Sequence, residues 1–453
     1  MPLHHPARAP HALPLLCSVL FLLRGAAVCA GSPKTLTRFH DPVVISVPAL
    51  PGAMGTSTVG IALYRIRNGH LEAMPYQFDA RDRSGDLDVG TPRDFVLDDN
   101  DELVFMAKDT GDQADSATLG SAAGLEIEVG DPLDGGRGWA YLLPAAAAPV
   151  ASPPVAYVRF DADRGRATSE LYEIDYASGL NFLTGLRVAP AAGGNGENFL
   201  RQTRMLGEPT FSLLFGDVRL SFTERNSIVR VDGIKNGWVR SIRRVRLSVD
   251  LGPLFPDLPT GIAYTLHYFS SFSTPTQMSV PWMALKALRD FRFENVIEFS
   301  PAGAPQRYWD TANRSGTALT ADSEEGIATD RDHDWWAVSG ASGSLLQVFI
   351  LPQEWTAWGV TRGAVVQRPH ASAGPLAHEF AGAGFTLRDM VRLQHSGSYQ
   401  LLQATIILPR RYQSGDEDQV LPMFHAPLQV RARPLAAGAA HPGDASPGTS
   451  SAP

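Results

Sequence analysis

The chain has 453 residues, with 39 Lys and Arg against 47 Asp and Glu, a formal net charge of −8 and a hydrophobic fraction of 44%. That balance belongs to a globular protein of two or three domains, not to a disordered or coiled-coil chain. Both cysteines, Cys17 and Cys29, lie in the first 30 residues. Everything after them is therefore without thiol catalysis, thiolate zinc, iron–sulfur clusters or internal disulfides.

Residues 12–23 (ALPLLCSVLFLL) are an apolar run behind Arg8. As a helix the run rises about 18 Å, short of a hydrocarbon core about 30 Å thick. It reads as the h-region of a secretory signal peptide over residues 1–30, with cleavage after Ala30 in Val28-Cys29-Ala30. The alternative, acylation of Cys29, is disfavoured by the bulk of Val28. No later stretch approaches 18 uninterrupted apolar residues, so no transmembrane segment is expected in the mature chain. The expected location is periplasmic or extracellular. Losing residues 1–30 removes Arg8 and Arg24 and no acid, which leaves an acidic chain and excludes nucleic acid as a partner.

Strand patterns follow. Val43–Val47 and Val59–Tyr64 are β-branched runs bounded by a Pro/Gly loop. Phe95–Leu97 and Leu103–Ala107 flank the acidic turn Asp98-Asp-Asn-Asp101, Leu125–Val129 alternates strictly, and Trp139–Leu143 closes the segment. The fold class is mainly β: a small N-terminal β-sandwich over 34–143, a Pro/Ala linker at 144–154, a larger β-sandwich over 155–433 and a disordered tail at 434–453. Within the larger unit, Asn236-Gly237 predicts a type I′ hairpin turn. The hydrophobic phase switches at Arg243–Arg244, which predicts a β-bulge. Ser279 is expected to cap a helix over Pro281–Phe291, and Thr386 a short turn over Leu387–Leu393.

Several catalytic signatures fail on inspection. His378-Glu379 starts like a zincin helix, but Gly382 stands where the second ligand is needed. Gly340-Ala-Ser-Gly-Ser344 lacks the last glycine and the helix of a nucleophile elbow. Gly382-Ala-Gly384 lacks the third glycine of a dinucleotide loop, and no Walker A sequence is present.

Three constellations stand as candidates. Asp98, Asp99 and Asp101 offer hard oxygens on an acidic turn, a candidate calcium site; the simpler reading is a turn that keeps a strand edge soluble. Asp330-Arg-Asp-His-Asp334 is a second acidic cluster, without the glycine and distal glutamate of an EF-hand loop. Arg240 and Arg243, with Arg244, Arg246 and Trp238 nearby and Arg219, Arg225 and Arg230 on preceding strands, form a basic and aromatic face suited to acidic glycans. The simpler reading is a solvated face that balances nearby acids. His267 and Tyr268 carry usable protons for acid–base work on a sugar, and Trp335 is a candidate stacking platform. Trp336 points the other way on the same strand.

The stretch Asn236–Val245 (NGWVRSIRRV) resembles the G-P-V-R-x-I-x-R strand of bacterial secreted proteins related to the galactose-mutarotase-like supersandwich fold, with Trp238 in place of the usual proline. Met74–Asp79 (MPYQFD) and residues 98–109 (DDNDELVFMAKD) are similar to the N-terminal region of such proteins. The resemblance implies a supersandwich-like larger domain and a link to carbohydrate, and it carries over no catalytic residue. The resulting expectation is an exported carbohydrate-binding protein, carbohydrate-active if His267 and Tyr268 meet an acid in a cleft, whose partner is a polysaccharide. The rival expectation is a non-catalytic structural or assembly component of the cell envelope. A concave site separates the first from the second.

Overall fold

The computed structural model describes residues 31–91, 95–119, 122–145, 155–177, 183–250, 258–320, 327–328, 333–367 and 381–435. The expected signal peptide, residues 146–154 of the expected linker, residues 436–453 of the expected tail, the His378-Glu379 pair and most of the 330–334 acidic cluster lie outside them. The described chain is mainly β, and all of its strand pairs are antiparallel.

Alternating apolar residues build the first unit. Leu125–Gly130 and Arg137–Pro144 pair in register and turn Leu125, Ile127, Val129, Ala140 and Leu142 inward. That sheet runs in the order Gln429–Pro434, Leu125–Gly130, Arg137–Pro144, Ile61–Arg67, His70–Ala73. It packs on a three-stranded sheet, Pro42–Ser46, Glu102–Met106 and Tyr76–Asp79, through Val43, Ile45, Leu103 and Phe105. The strand Gln429–Pro434 thus belongs to this sheet, not to the 155–433 unit expected from the sequence. Arg433 secures it by ion pairs to Glu126 (2.9 Å) and Glu128 (3.2 Å).

The second unit sets two large sheets face to face. One has nine strands, which include Ser227–Asn236, Ser241–Val249, Leu258–His267, Ser271–Val280, Gly397–Ile407 and Gly343–Ile350 in that spatial order. The other has Gly216–Arg219, Leu200–Leu213, Leu288–Phe299, Gly382–Arg388 and Thr361–Gln367 in order, with Phe222–Thr223 beside Leu200–Leu213. A four-stranded sheet over residues 158–188 caps one end of the shared core through Tyr172, Ile174, Leu186 and Val188.

Four local expectations change. The hairpin after Asn236 forms, but its loop spans Gly237–Arg240, with Asn236 opposite Ser241 and the Gly237 N–H donating to the Arg240 carbonyl at 3.0 Å. Neither Asn236 nor Gly237 has the positive φ of a type I′ turn. Gly237 is needed for closeness instead: a Cβ there would sit 2.0 Å from Gln77 Oε1. The register shift lies on the partner strand, between Val231 and Gly233, opposite Val245 and Arg244. The helix is Trp282–Ala287, without a Ser279 cap, because Leu288 onward is drawn into a twelve-residue strand. Thr386 likewise sits inside Gly382–Arg388, and only Met390–Arg392 turns.

The two units meet on a largely buried face. Leu87, Val104 and Met106 of the first pack on Val239, Ile242, Leu266 and Tyr268 of the nine-stranded sheet. Polar clamps flank them: His40 Nδ1 lies 2.9 Å from Ser270 Oγ, and Tyr157 Oη donates to the Asp109 carboxylate at 2.8 Å. Among the described residues, no helix is long and apolar enough to cross a membrane.

Candidate functional site

Of the charged residues singled out in the sequence, Arg240 lies at the junction between the units, in a buried network of ion pairs. Arg240 is 2% exposed. Its Nε donates to Asp79 Oδ2 at 2.9 Å, one terminal nitrogen donates to Tyr268 Oη at 2.9 Å, and the other pairs with Asp79 and Glu102. Lys235 reaches Asp79 Oδ1 at 3.1 Å, and Arg81 holds the far oxygen of Glu102 at 2.7 Å. Gln77 Nε2 donates to Asp79, while Gln77 Oε1 accepts the Val239 and Arg240 N–H groups at 2.9 and 2.8 Å. Burial alone would raise the Asp79 carboxyl, but Arg240, Lys235 and Gln77 hold it below its ordinary value. The three stretches that carry the family resemblance therefore converge here, as a structural seam.

Of the other predicted residues, Tyr268 shares this network, and His267, Arg243 and Trp335 fall elsewhere. His267 is fully buried; Tyr176 Oη lies 2.7 Å from Nε2 and Ser241 Oγ 3.3 Å from Nδ1. Burial first, then the nearby Arg243 charge, pushes its pKa down to about 3, so the ring is neutral at neutral pH. Arg243 is buried over the Tyr176 ring, 4.7 Å from guanidinium to centroid. Burial raises the Tyr268 hydroxyl against the pull of Arg240. Trp335 is packed with Leu346, Val348 and Ile406, while Trp336 enters the opposite core. Neither ring is free to stack on a sugar.

Nor are the three acids brought together around a cation. Asp98 and Asp99 are exposed, whereas Asp101 is buried and takes the N–H groups of Asp98 (2.7 Å) and Arg81 (3.2 Å) on its two oxygens. Among the described residues there is no group of three or more His, Cys, Asp or Glu that could hold a metal ion. On the basic face, Arg244 and Arg246 pair with Asp86 and Asp232, and Arg219 with Glu208.

The candidate site is a cleft of about 290 Å³ between the two large sheets. Strand alternation builds it, because every second residue faces the gap. Ser271–Val280 contributes Phe272, Thr274, Thr276 and Met278; Leu288–Phe299 contributes Phe291, Phe293, Asn295 and Ile297; Gly397–Ile407 contributes Leu401, Gln403 and Thr405. Asn295 Nδ2 donates across the gap to Gln403 Oε1 at 3.1 Å and ties the sheets at that level. Gln347 Nε2 donates to Thr405 Oγ1 at 3.2 Å. Thr203 Oγ1, Asn295 Oδ1 and Gln347 Oε1, all on lining residues, are buried without a hydrogen-bond partner among the described residues. Among the described residues no Asp, Glu, His, Lys or Arg lines the cleft, and Tyr176, its hydroxyl raised by burial, is the one ionisable lining group. His267 stands directly behind that tyrosine, one contact removed from the gap.

The described lining is therefore apolar with hydroxyl and amide groups set among the rings. Sequence reasoning passed over all of these residues. The available signal was threonine at alternate, same-face positions (Thr274, Thr276) between apolar ones, where a core face would carry Val or Ile.

No protein-family model matches the chain. No curated protein matches it either. Among solved structures, an α-mannosidase from Enterococcus faecalis is similar over 90% of this chain and 45% of its own, at 8% identity and a TM-score of 0.43. A glycosyl hydrolase family 38 protein from the same organism is similar over 89% and 46%, at 7% identity and a TM-score of 0.40. The chain spans less than half the length of either.

Proposed function

We propose that the protein is an exported, non-catalytic carbohydrate-binding protein, and that its ligand is an uncharged, amphipathic, sugar-bearing molecule held in the intersheet cleft. The observation that carries this reading is the pairing of phenylalanine faces with spare acceptor oxygens on Asn295 and Gln347. A buried acceptor without a donor costs about 1–3 kcal/mol, and ligand hydroxyls relieve that cost. The rings offer flat apolar surface to sugar C–H faces or to an attached chain. Glycoside hydrolysis ordinarily needs a pair of carboxylates at the bond, and the described lining supplies none, which favours binding over cleavage. The absence of lining cations also moves the ligand class from the acidic glycans suggested by the arginines to neutral ones.

Thermal unfolding with neutral oligosaccharides and neutral glycolipids tests the assignment. A ligand at a hundredfold excess over its Kd should add about 2.7 kcal/mol of stability, visible as a rise of several degrees in Tm. Thr276→Phe, which fills the cleft, should abolish that rise. If no member of either class raises Tm, or if the filled variant responds like the parent, the assignment is wrong.

A further inference from the structure

The strands that wall the cleft end in an apolar projection. Leu200–Leu213 turns into Gly216–Arg219 through the two-residue loop Leu214-Phe215, with Leu213 opposite Gly216. Two-residue hairpin loops ordinarily carry Asn, Asp or Gly, which satisfy the turn and stay soluble. Here Leu214 is 97% exposed and Phe215 fully so. The helix Trp282–Ala287 runs into Leu288, which pairs with Phe211, so it lies at the same end of the same sheet. It adds Trp282 and Met283, 64% and 65% exposed. Five large apolar side chains, counting Leu213, thus project from one sheet end, and clustered exposure of this kind marks an interaction surface rather than ordinary scatter.

We infer that this projection inserts into the surface of a phospholipid bilayer. The hairpin tip carries two side chains with essentially their whole surface in solvent, and a fluid lipid surface accommodates such a protrusion without a matching groove. Tryptophan with leucine and phenylalanine is the side-chain set that favours the headgroup boundary. The geometry also connects the patch with the cleft. Phe291, which lines the cleft, pairs with Pro209, five residues before Leu214, a span of about 16 Å along the strand. Insertion by about 5–10 Å would set that end of the cleft at headgroup level, where an amphipathic molecule could pass from lipid into protein. Lys286 and Arg289 are exposed near the patch and make no ion pair among the described residues, but Asp217 and Asp290 are exposed there too. Apolar insertion, not charge, is therefore the main attraction. The surface is independent of what the cleft holds.

Flotation of the full chain with vesicles of equimolar phosphatidylcholine and phosphatidylglycerol tests the inference. The parent chain should float, and should still do so at about 1 M salt, where the Debye length is about 3 Å. Leu214→Ser/Phe215→Ser/Trp282→Ser should lower the vesicle-bound fraction at least about tenfold with Tm unchanged, while Lys286→Gln/Arg289→Gln should change it less than about twofold. Phe215→Asp, at a fully exposed position, serves if the triple variant does not fold. A parent chain that ignores vesicles, or tip variants that float as well as the parent, would overturn the inference. So would a parent dimer that the tip substitutions dissociate without any vesicle binding, which would assign the patch to a second copy of this chain. Because flotation is read without sugar, failure of the carbohydrate assignment leaves this result standing, and the reverse also holds.

Discussion

The junction between the two units and the cleft between the two large sheets are opposites. The junction concentrates Arg240, Lys235, Asp79 and Glu102 with no space among them. The cleft has space and no lining charge among the described residues. Buried ions are tolerated only when each is paired and hydrogen-bonded, so a dense ionic cluster is a poor place to admit a ligand. A gap lined by uncharged groups costs little to leave open and can be filled and emptied. In this chain charge marks cohesion, and threonine and amide side chains mark the gap.

The largest effect that would test this contrast is Arg240→Met. It removes the cation shared by the buried Asp79 and Glu102 carboxylates, leaving Asp79 to Lys235 and Glu102 to Arg81, and should cost about 3–5 kcal/mol, measured by urea unfolding, while the folded fraction keeps its response to cleft ligands. A cost below about 1 kcal/mol would mean that the seam is wetter and weaker than its geometry indicates.

Acid should act on two buried rings, His40 at the junction and His267 behind Tyr176, before the carboxylates titrate. The His267 pKa is pushed down to about 3 and that of His40 to about 4, both by burial, from an ordinary 6.5. Protons therefore bind the unfolded rings more readily than the folded ones. Stability from these two rings is complete above pH 6.5 and drains as pH falls toward 4 and 3, each contributing a slope of up to about 1.4 kcal/mol per pH unit. Urea midpoints between pH 6.5 and 5 should fall, and His267→Gln should flatten that dependence even if it lowers the midpoint at pH 7. An unchanged slope would show that the ring is not neutral and enclosed.

The smallest effect belongs to the cleft. Gln347→Leu removes an oxygen that has no partner along with one hydrogen bond. It should move folding stability by less than about 1 kcal/mol while lowering cleft affinity in the same thermal assay. A destabilisation as large as that of Arg240→Met would erase the distinction between the two regions.

Much of the architecture was legible because it is local. Leu125–Val129 alternates in the sequence and forms Leu125–Gly130, and the mainly β class followed from runs of that kind. The partners of Arg240 were not legible, since Asp79 lies 161 residues away and Glu102 138. Arginines on an alternating strand look alike whether they meet solvent or buried carboxylates. The cleft escaped for a related reason. A period of two says that Thr274 and Thr276 share a face, but not whether that face meets solvent, core or a gap. His267 and Tyr268 attracted notice because catalysis uses such groups, yet the fold spends them on hydrogen bonds to Tyr176 and Arg240.

The pairing of Gln429–Pro434 with Leu125–Gly130 also sets an order of events during synthesis. At about 5–20 residues per second, the edge of the first sheet waits roughly 15–60 s for a strand some 300 residues downstream. Throughout that interval Leu125–Gly130 presents unpaired backbone groups to any passing strand. The unit made first is thus the last to be finished, and chains that stop short of residue 429 should be sticky at the N-terminal end, far along the sequence from where they were cut.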